Sequence, residues 1–232
     1  MQHPFGTHHP HRSNPPAFNA PAIVLQIIAV TVVMHIFRLV APEAWVDPVL
    51  TYLVFNPGDL HFFSDYPVEI SARWVGYSLV HGSWLHLMVN CAFLLAFGTP
   101  IARQVPKLSF LVLYALGAAG GALAVLIVYP GADLYLIGAS GGVSALVGAL
   151  SRMVFLRRGQ EHVPRPFNNR RAGVIFILVF LGVNLLFEFL PGPGGLTVSG
   201  ESHLGGFVAG FLLSLVLPWR QRHLNHHHGH GS

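Results

Sequence analysis

Apolar stretches long enough to cross a bilayer dominate the chain. They run approximately Ala22–Val40, Val75–Phe97, Leu108–Tyr129, Leu136–Leu156, Ala172–Leu190 and His203–Leu217. A hydrocarbon core about 30 Å thick takes about 20 helical residues to span. In lipid every backbone N–H and C=O must be satisfied within the protein, so such runs fold as helices. The last stretch is short, but membrane helices tolerate glycine and small residues. Of 232 residues, only 9% are charged, against about 25% in ordinary soluble domains. That balance excludes a disordered chain, a nucleic-acid binder and most soluble enzymes. Cys91 is alone in an apolar run, so this is no disulfide scaffold. The expected fold is an all-α polytopic membrane protein with six transmembrane helices. Its membrane domain covers residues 21–219, between a cytoplasmic His/Pro-rich tail, 1–20, and a His-rich tail, 220–232.

Basic residues set the expected orientation. With the N-terminus in the cytoplasm, the inner segments hold Arg12, Arg103, Lys107, Arg152, Arg157, Arg158, Arg165, Arg170, Arg171, Arg220 and Arg222. Only Arg38 and Arg73 fall outside. The positive-inside rule then places both termini in the cytoplasm. The first 20 residues lack a cleavable signal pattern, and a bacterial inner membrane is the expected address. The outer loop Pro42–Trp74 mixes aromatics, acids and prolines. Aromatics of this kind suit the membrane interface, and a loop of this length is expected to carry function.

Polar side chains at membrane depth are costly and mark function. His86 precedes Arg103 by 17 residues, Ser140 precedes Arg157 by 17, and His203 precedes Arg220 by 17. Each therefore lies about 25 Å above a basic anchor, in the outer third of the bilayer. Helices two, four and six run in the same direction, so these three residues can converge. A serine hydroxyl needs a base to become a nucleophile, and histidine is the usual one. His86 and Asn90, spaced i and i+4, share a helix face and can aim donors at an oxyanion. Gly206 and Gly210 form a small-xxx-small pair that lets helix six lie directly against helix four, bringing His203 within hydrogen-bond reach of Ser140. His81 and His35 read as structurally hydrogen-bonded histidines. Asn184 and Glu188 are assigned no role.

Taken together, the chain resembles the rhomboid intramembrane serine proteases. The resemblance rests on His81-Gly82-Ser83-Trp84-Leu85-His86-Leu87-Met88-Val89-Asn90, on Gly138-Ala139-Ser140-Gly141, and on His203-Leu204-Gly205-Gly206 with Gly210. It covers about residues 22–219. It implies a rhomboid-like bundle in which Ser140 is the nucleophile and His203 the base. His86 and Asn90 then line an oxyanion hole with the Ser140 N–H. His81, Gly98, Gly138, Gly141, Gly206, Gly210 and Arg73 match structural motif positions. Two departures stand out: Ala72 occupies the place of a Trp before Arg73, and Ser144 that of a Tyr that stacks on the histidine. The resemblance implies cleavage of single-pass or polytopic membrane proteins near the outer end of a transmembrane segment. It implies no cofactor and no catalytic metal, with helix five and Pro191–Gly200 as gate and cap.

Two rival readings remain. His3, His8, His9 and His11 at one end, and His223, His226, His227, His228 and His230 at the other, could bind metal ions, as in a metal-binding or metal-transporting membrane protein. The other rival is a catalytically inactive relative that binds membrane proteins. Such relatives typically lack the Ser or His that this chain retains.

Overall fold

A computed structural model describes residues 20–155, 170–188 and 199–219. Its helices are α1 (Ala22–Val40), α2 (Glu43–Leu53), α3 (Pro67–Gly76), α4 (Trp84–Ala102), α5 (Lys107–Val128), α6 (Ser140–Phe155), α7 (Arg170–Glu188) and α8 (Gly200–Val216). The fold is all-α, and its bundle consists of α1 and α4–α8. Strand pairing among the described residues is limited to one bridge, Phe55 with Leu136. By length and composition, α1, α4 and α5 can cross a membrane, while α8 is apolar but shorter. The tails, the loop 191–198, Arg157 and the side chains of Asn184 and Glu188 lie outside the described residues.

Polarity is distributed in the opposite sense to that of a soluble protein. Leu25, Val33 and Leu39 of α1, Leu108 and Ile127 of α5, and Leu204 and Leu212 of α8 face outward. Thr31, His35, His81, Asn90, Ser144, Ser151, His203 and Ser214 are buried. Several buried hydroxyls bond back within their own helix: Thr31 to the Ile27 carbonyl, Ser151 to Gly148 and Ser214 to Phe211. An apolar rind around a polar interior suits a lipid surround.

Where no hydrophobic force separates lipid from helix, close backbone approach and hydrogen bonds hold helices together. The centre of the bundle, α5–α6–α8, follows this rule. A Cβ on Gly210 would overlap the Ala145 backbone, and one on Gly206 the Gly141 carbonyl. One on Gly148 would overlap the Phe207 carbonyl. The pairs 141 with 206 and 145 with 210 advance together, so α6 and α8 are parallel. Across α5 the order reverses, since Gly120 lies under Ala209 and Ala124 against Gly205. Gly98 seats α4 between Val24 of α1 and Phe110 of α5. At the far end of α6 and α8, the Arg152 guanidinium donates to the Ser214 carbonyl and lies 5.0 Å over the Trp219 ring.

Three spans start three or more residues away from the sequence expectation, and the second also ends later, at Ala102 rather than Phe97. The second span begins at Trp84 rather than Val75. Residues 67–76 form the separate α3, a tight turn covers 77–79, and Val80 and Ser83 are extended. Ser83 caps α4 by accepting from the His86 N–H at 3.2 Å, which fixes the start. The fourth span begins at Ser140, because Gly138 has a φ of +113° that no right-handed helix contains. The sixth begins at Gly200, capped by Ser199. The outer loop is folded: Arg73 donates to the Thr51 carbonyl at 2.6 Å and pairs with Asp59, joining α2, α3 and the turn at 57–62. Ala72 is exposed, and Trp74 packs edge-on against Phe55 with ring centroids 5.2 Å apart.

Candidate active site

Ser140 is the first residue of α6, at a corner tied down from several sides. The Gly138 N–H donates to the Tyr77 carbonyl at 3.0 Å. The Ala139 N–H donates to His81 Nε2 at 3.3 Å. An acceptor nitrogen carries no proton, so this bond requires neutral His81 protonated at Nδ1. Position 138 admits only glycine for two reasons. Its backbone is left-handed, and a Cβ there would lie 2.6 Å from both Cε1 and Nε2 of His86. The His86 imidazole therefore lies directly over the peptide leading into Ser140. It also meets the His81 ring edge-on, with centroids 4.9 Å apart.

His203 is the fourth residue of α8 and is 8% exposed. One turn further along, Gly206 rests on the Gly141 carbonyl, next to Ser140. Helix packing of the expected closeness thus sets Ser140 and His203 at the adjoining ends of two parallel helices. The hydrogen bond expected between them is not formed, and His203 Nδ1 is buried without a partner. Glu201, two residues before His203, is held by other partners: Tyr129 Oη donates to it at 2.7 Å, and Ser199 Oγ lies 3.3 Å away. Ser144 is buried on α6, and among the described residues no aromatic ring stacks on His203.

Asn90 lies one turn below His86 and is buried. Its amide donates to the His86 carbonyl at 3.0 Å, which leaves its second N–H for another acceptor. Arg73 stands apart from this cluster, in the α2–α3 cap. Among the described residues, no group of three or more His, Cys, Asp or Glu side chains is arranged to hold a metal ion.

Sequence reasoning overlooked Tyr77. This fully buried residue accepts from Gly138 through its carbonyl. Its hydroxyl donates to the Ala118 carbonyl at 2.8 Å and lies 3.5 Å from Ser202 Oγ. A Cβ on Gly141 would strike that hydroxyl. Tyr77 thus touches α5, α6 and α8 at the level of Ser140. Nothing in its local sequence, an aromatic in an apolar run, marks it for this position.

This architecture defines a multi-pass helical membrane protein with a Ser, three His and an Asn gathered where α4, α6 and α8 begin. The chain belongs to the rhomboid family: the Rhomboid domain family model matches residues 70–220. It is similar to RHOMBOID-like protein 5 of Arabidopsis thaliana, 28% identical over 67% of this chain and 48% of that protein. Similarity to Rhomboid-related protein 2 of Mus musculus is 32% over 64% of this chain and 49% of the mouse protein. Similarity to Rhomboid protease GlpG of Haemophilus influenzae is 25% over 72% of this chain and 85% of that protein. The chain therefore spans about half the length of the plant and mouse relatives.

Proposed function

We propose that this protein is an intramembrane serine endopeptidase that cuts membrane-protein substrates near the outer end of a transmembrane segment. The observation carrying the reading is the Ser140 corner itself. Glycine contact brings α8 and His203 alongside, while His86 covers the peptide before the nucleophile. In this mechanism His203 takes the Ser140 proton as Oγ attacks the scissile carbonyl, then returns it to the leaving amine. His86, Asn90 and the Ser140 N–H donate to the oxyanion. Water then attacks the acyl-enzyme, again with His203 as base, releasing the carboxylate product. Catalytic hydrogen bonds are commonly long without substrate and tighten in the complex, which accommodates the unbonded Ser140–His203 pair. The substrate helix must unwind locally, because an intact helix hides its carbonyls.

The test is incubation of purified protein with a transmembrane substrate, mapping cuts by mass spectrometry. Wild type should cleave, and Ser140→Ala and His203→Ala should not, each keeping the wild-type melting temperature. Substantial turnover by folded Ser140→Ala would refute the assignment. The proposed address is a bacterial inner membrane with both termini in the cytoplasm, a reading supported by the basic residues. With Cys91 replaced, Asp47→Cys should react with an impermeant thiol reagent from outside and Gln160→Cys should not. The reverse pattern would invert the orientation.

A further inference from the structure

We infer that His35, on α1, is a positioning residue for the candidate nucleophile, acting through His81. This inference rests on the proposed protease reading. Most of α1 faces outward, and its buried residues are Ile23, Val24, Thr31 and His35. Thr31 is satisfied within its own helix. His35 instead reaches across 46 residues of sequence, with Nδ1 3.1 Å from the His81 carbonyl. A carbonyl only accepts, so His35 Nδ1 carries the proton. Three residues along α1, Arg38 Nη2 donates to the Gly82 carbonyl at 3.2 Å.

These two bonds meet a specific need. Val80 and Ser83 are extended, and no residue from 80 to 83 is helical. The first bond of α4 runs from the Leu87 N–H to the Ser83 carbonyl, so the carbonyls of His81 and Gly82 precede the helical ladder. At membrane depth they need a donor from elsewhere, and α1 supplies one to each. The His35 ring also meets Trp84, the first residue of α4, edge-on with centroids 4.6 Å apart.

What this clamp holds is the His81 backbone, whose side chain accepts the Ala139 N–H and whose ring abuts His86. The connection runs from His35 Nδ1–H to the His81 carbonyl, then from His81 Nε2 to the Ala139 N–H, one residue before Ser140. A shift of the 80–83 segment moves both the Ser140 corner and the imidazole that covers it. His35 touches none of the reacting groups, so its contribution is geometric.

Two full-length variants separate bond from bulk. His35→Phe keeps a ring and loses the donor. His35→Asn loses the ring but retains an N–H close to the position of Nδ1. Turnover of a transmembrane substrate and amide hydrogen exchange of peptides covering 138–143 are measured together. His35→Phe should lower kcat roughly ten- to a hundredfold with KM unchanged. It should also speed exchange at 138–143 more than in the lower half of α6. His35→Asn should recover most of both. Wild-type kcat and exchange in folded His35→Phe, or Asn no better than Phe, would overturn the inference. Uniformly faster exchange throughout the bundle would also overturn it, since that marks loss of packing alone. If wild type failed to cleave, the protease reading would fall, while the exchange comparison would still decide the clamp.

Discussion

The two walls of the candidate site are built by different forces. On the α6–α8 wall, backbone meets backbone: Gly206 on Gly141, Gly210 on Ala145 and Gly148 under Phe207. Backbone atoms make these three contacts, and a single methyl group would disrupt them. On the α4 wall, hydrogen bonds dominate: His81 to Ala139, Tyr77 to Gly138, Ser83 to His86 and His35 to His81. The first wall holds the nucleophile and base helices at a fixed distance. The second sets the angle of the peptide entering Ser140 and the position of the covering imidazole. In lipid, then, close packing secures the helices while directional bonds adjust single atoms. Damage to the first should appear as lost structure, and damage to the second as lost rate.

Gly210→Val should have the largest effect. Its branched side chain would enter the Ala145 backbone, and overpacking typically costs about 1–3 kcal/mol even where neighbours can move. Backbone cannot move aside as a side chain can. Melting temperature and activity should therefore fall together. A variant with wild-type stability would show that the α6–α8 contact is looser than described.

On the α4 wall, His86→Ala should separate rate from stability. Losing an oxyanion donor typically lowers kcat by about 10²–10³. KM should change little, because the bond strengthens only as the carbonyl becomes an oxyanion. Asn90→Ala should show the same pattern to a smaller degree, since Asn90 already donates one N–H to the His86 carbonyl. Thermal melts and kcat measured on the same preparations check both. A stable His86→Ala enzyme with wild-type kcat would remove His86 from the oxyanion hole. Rate losses that simply follow unfolding would make this wall structural as well.

Much of the bundle was legible because its signals are local. Long uncharged runs report helices in lipid, and Gly206 and Gly210 report close packing through their spacing alone. Equal offsets from basic anchors grouped His86, Ser140 and His203. The start of the second span was less legible, because Val75–Ser83 is apolar enough to resemble the helix that follows it. Only Ser83 as a cap, read with the turn at 77–79, separates them. The hydrogen bond expected between Ser140 and His203 depends on side-chain rotation and small helix displacements, which spacing cannot convey.

A charge-poor helical membrane chain, the glycine seams of its core and the residue types at three helix starts are all written in the amino-acid order. These follow from short-range rules of period, length and charge. Tertiary structure alone decided which carbonyls outside the helices find donors, and from where. The His81 carbonyl finds its donor in His35, 46 residues away, and the Gly82 carbonyl finds its own in Arg38, 44 residues away. An unsatisfied carbonyl at membrane depth must be paired with whatever donor the fold brings beside it. That partner is a property of the packed bundle, and no local pattern encodes it.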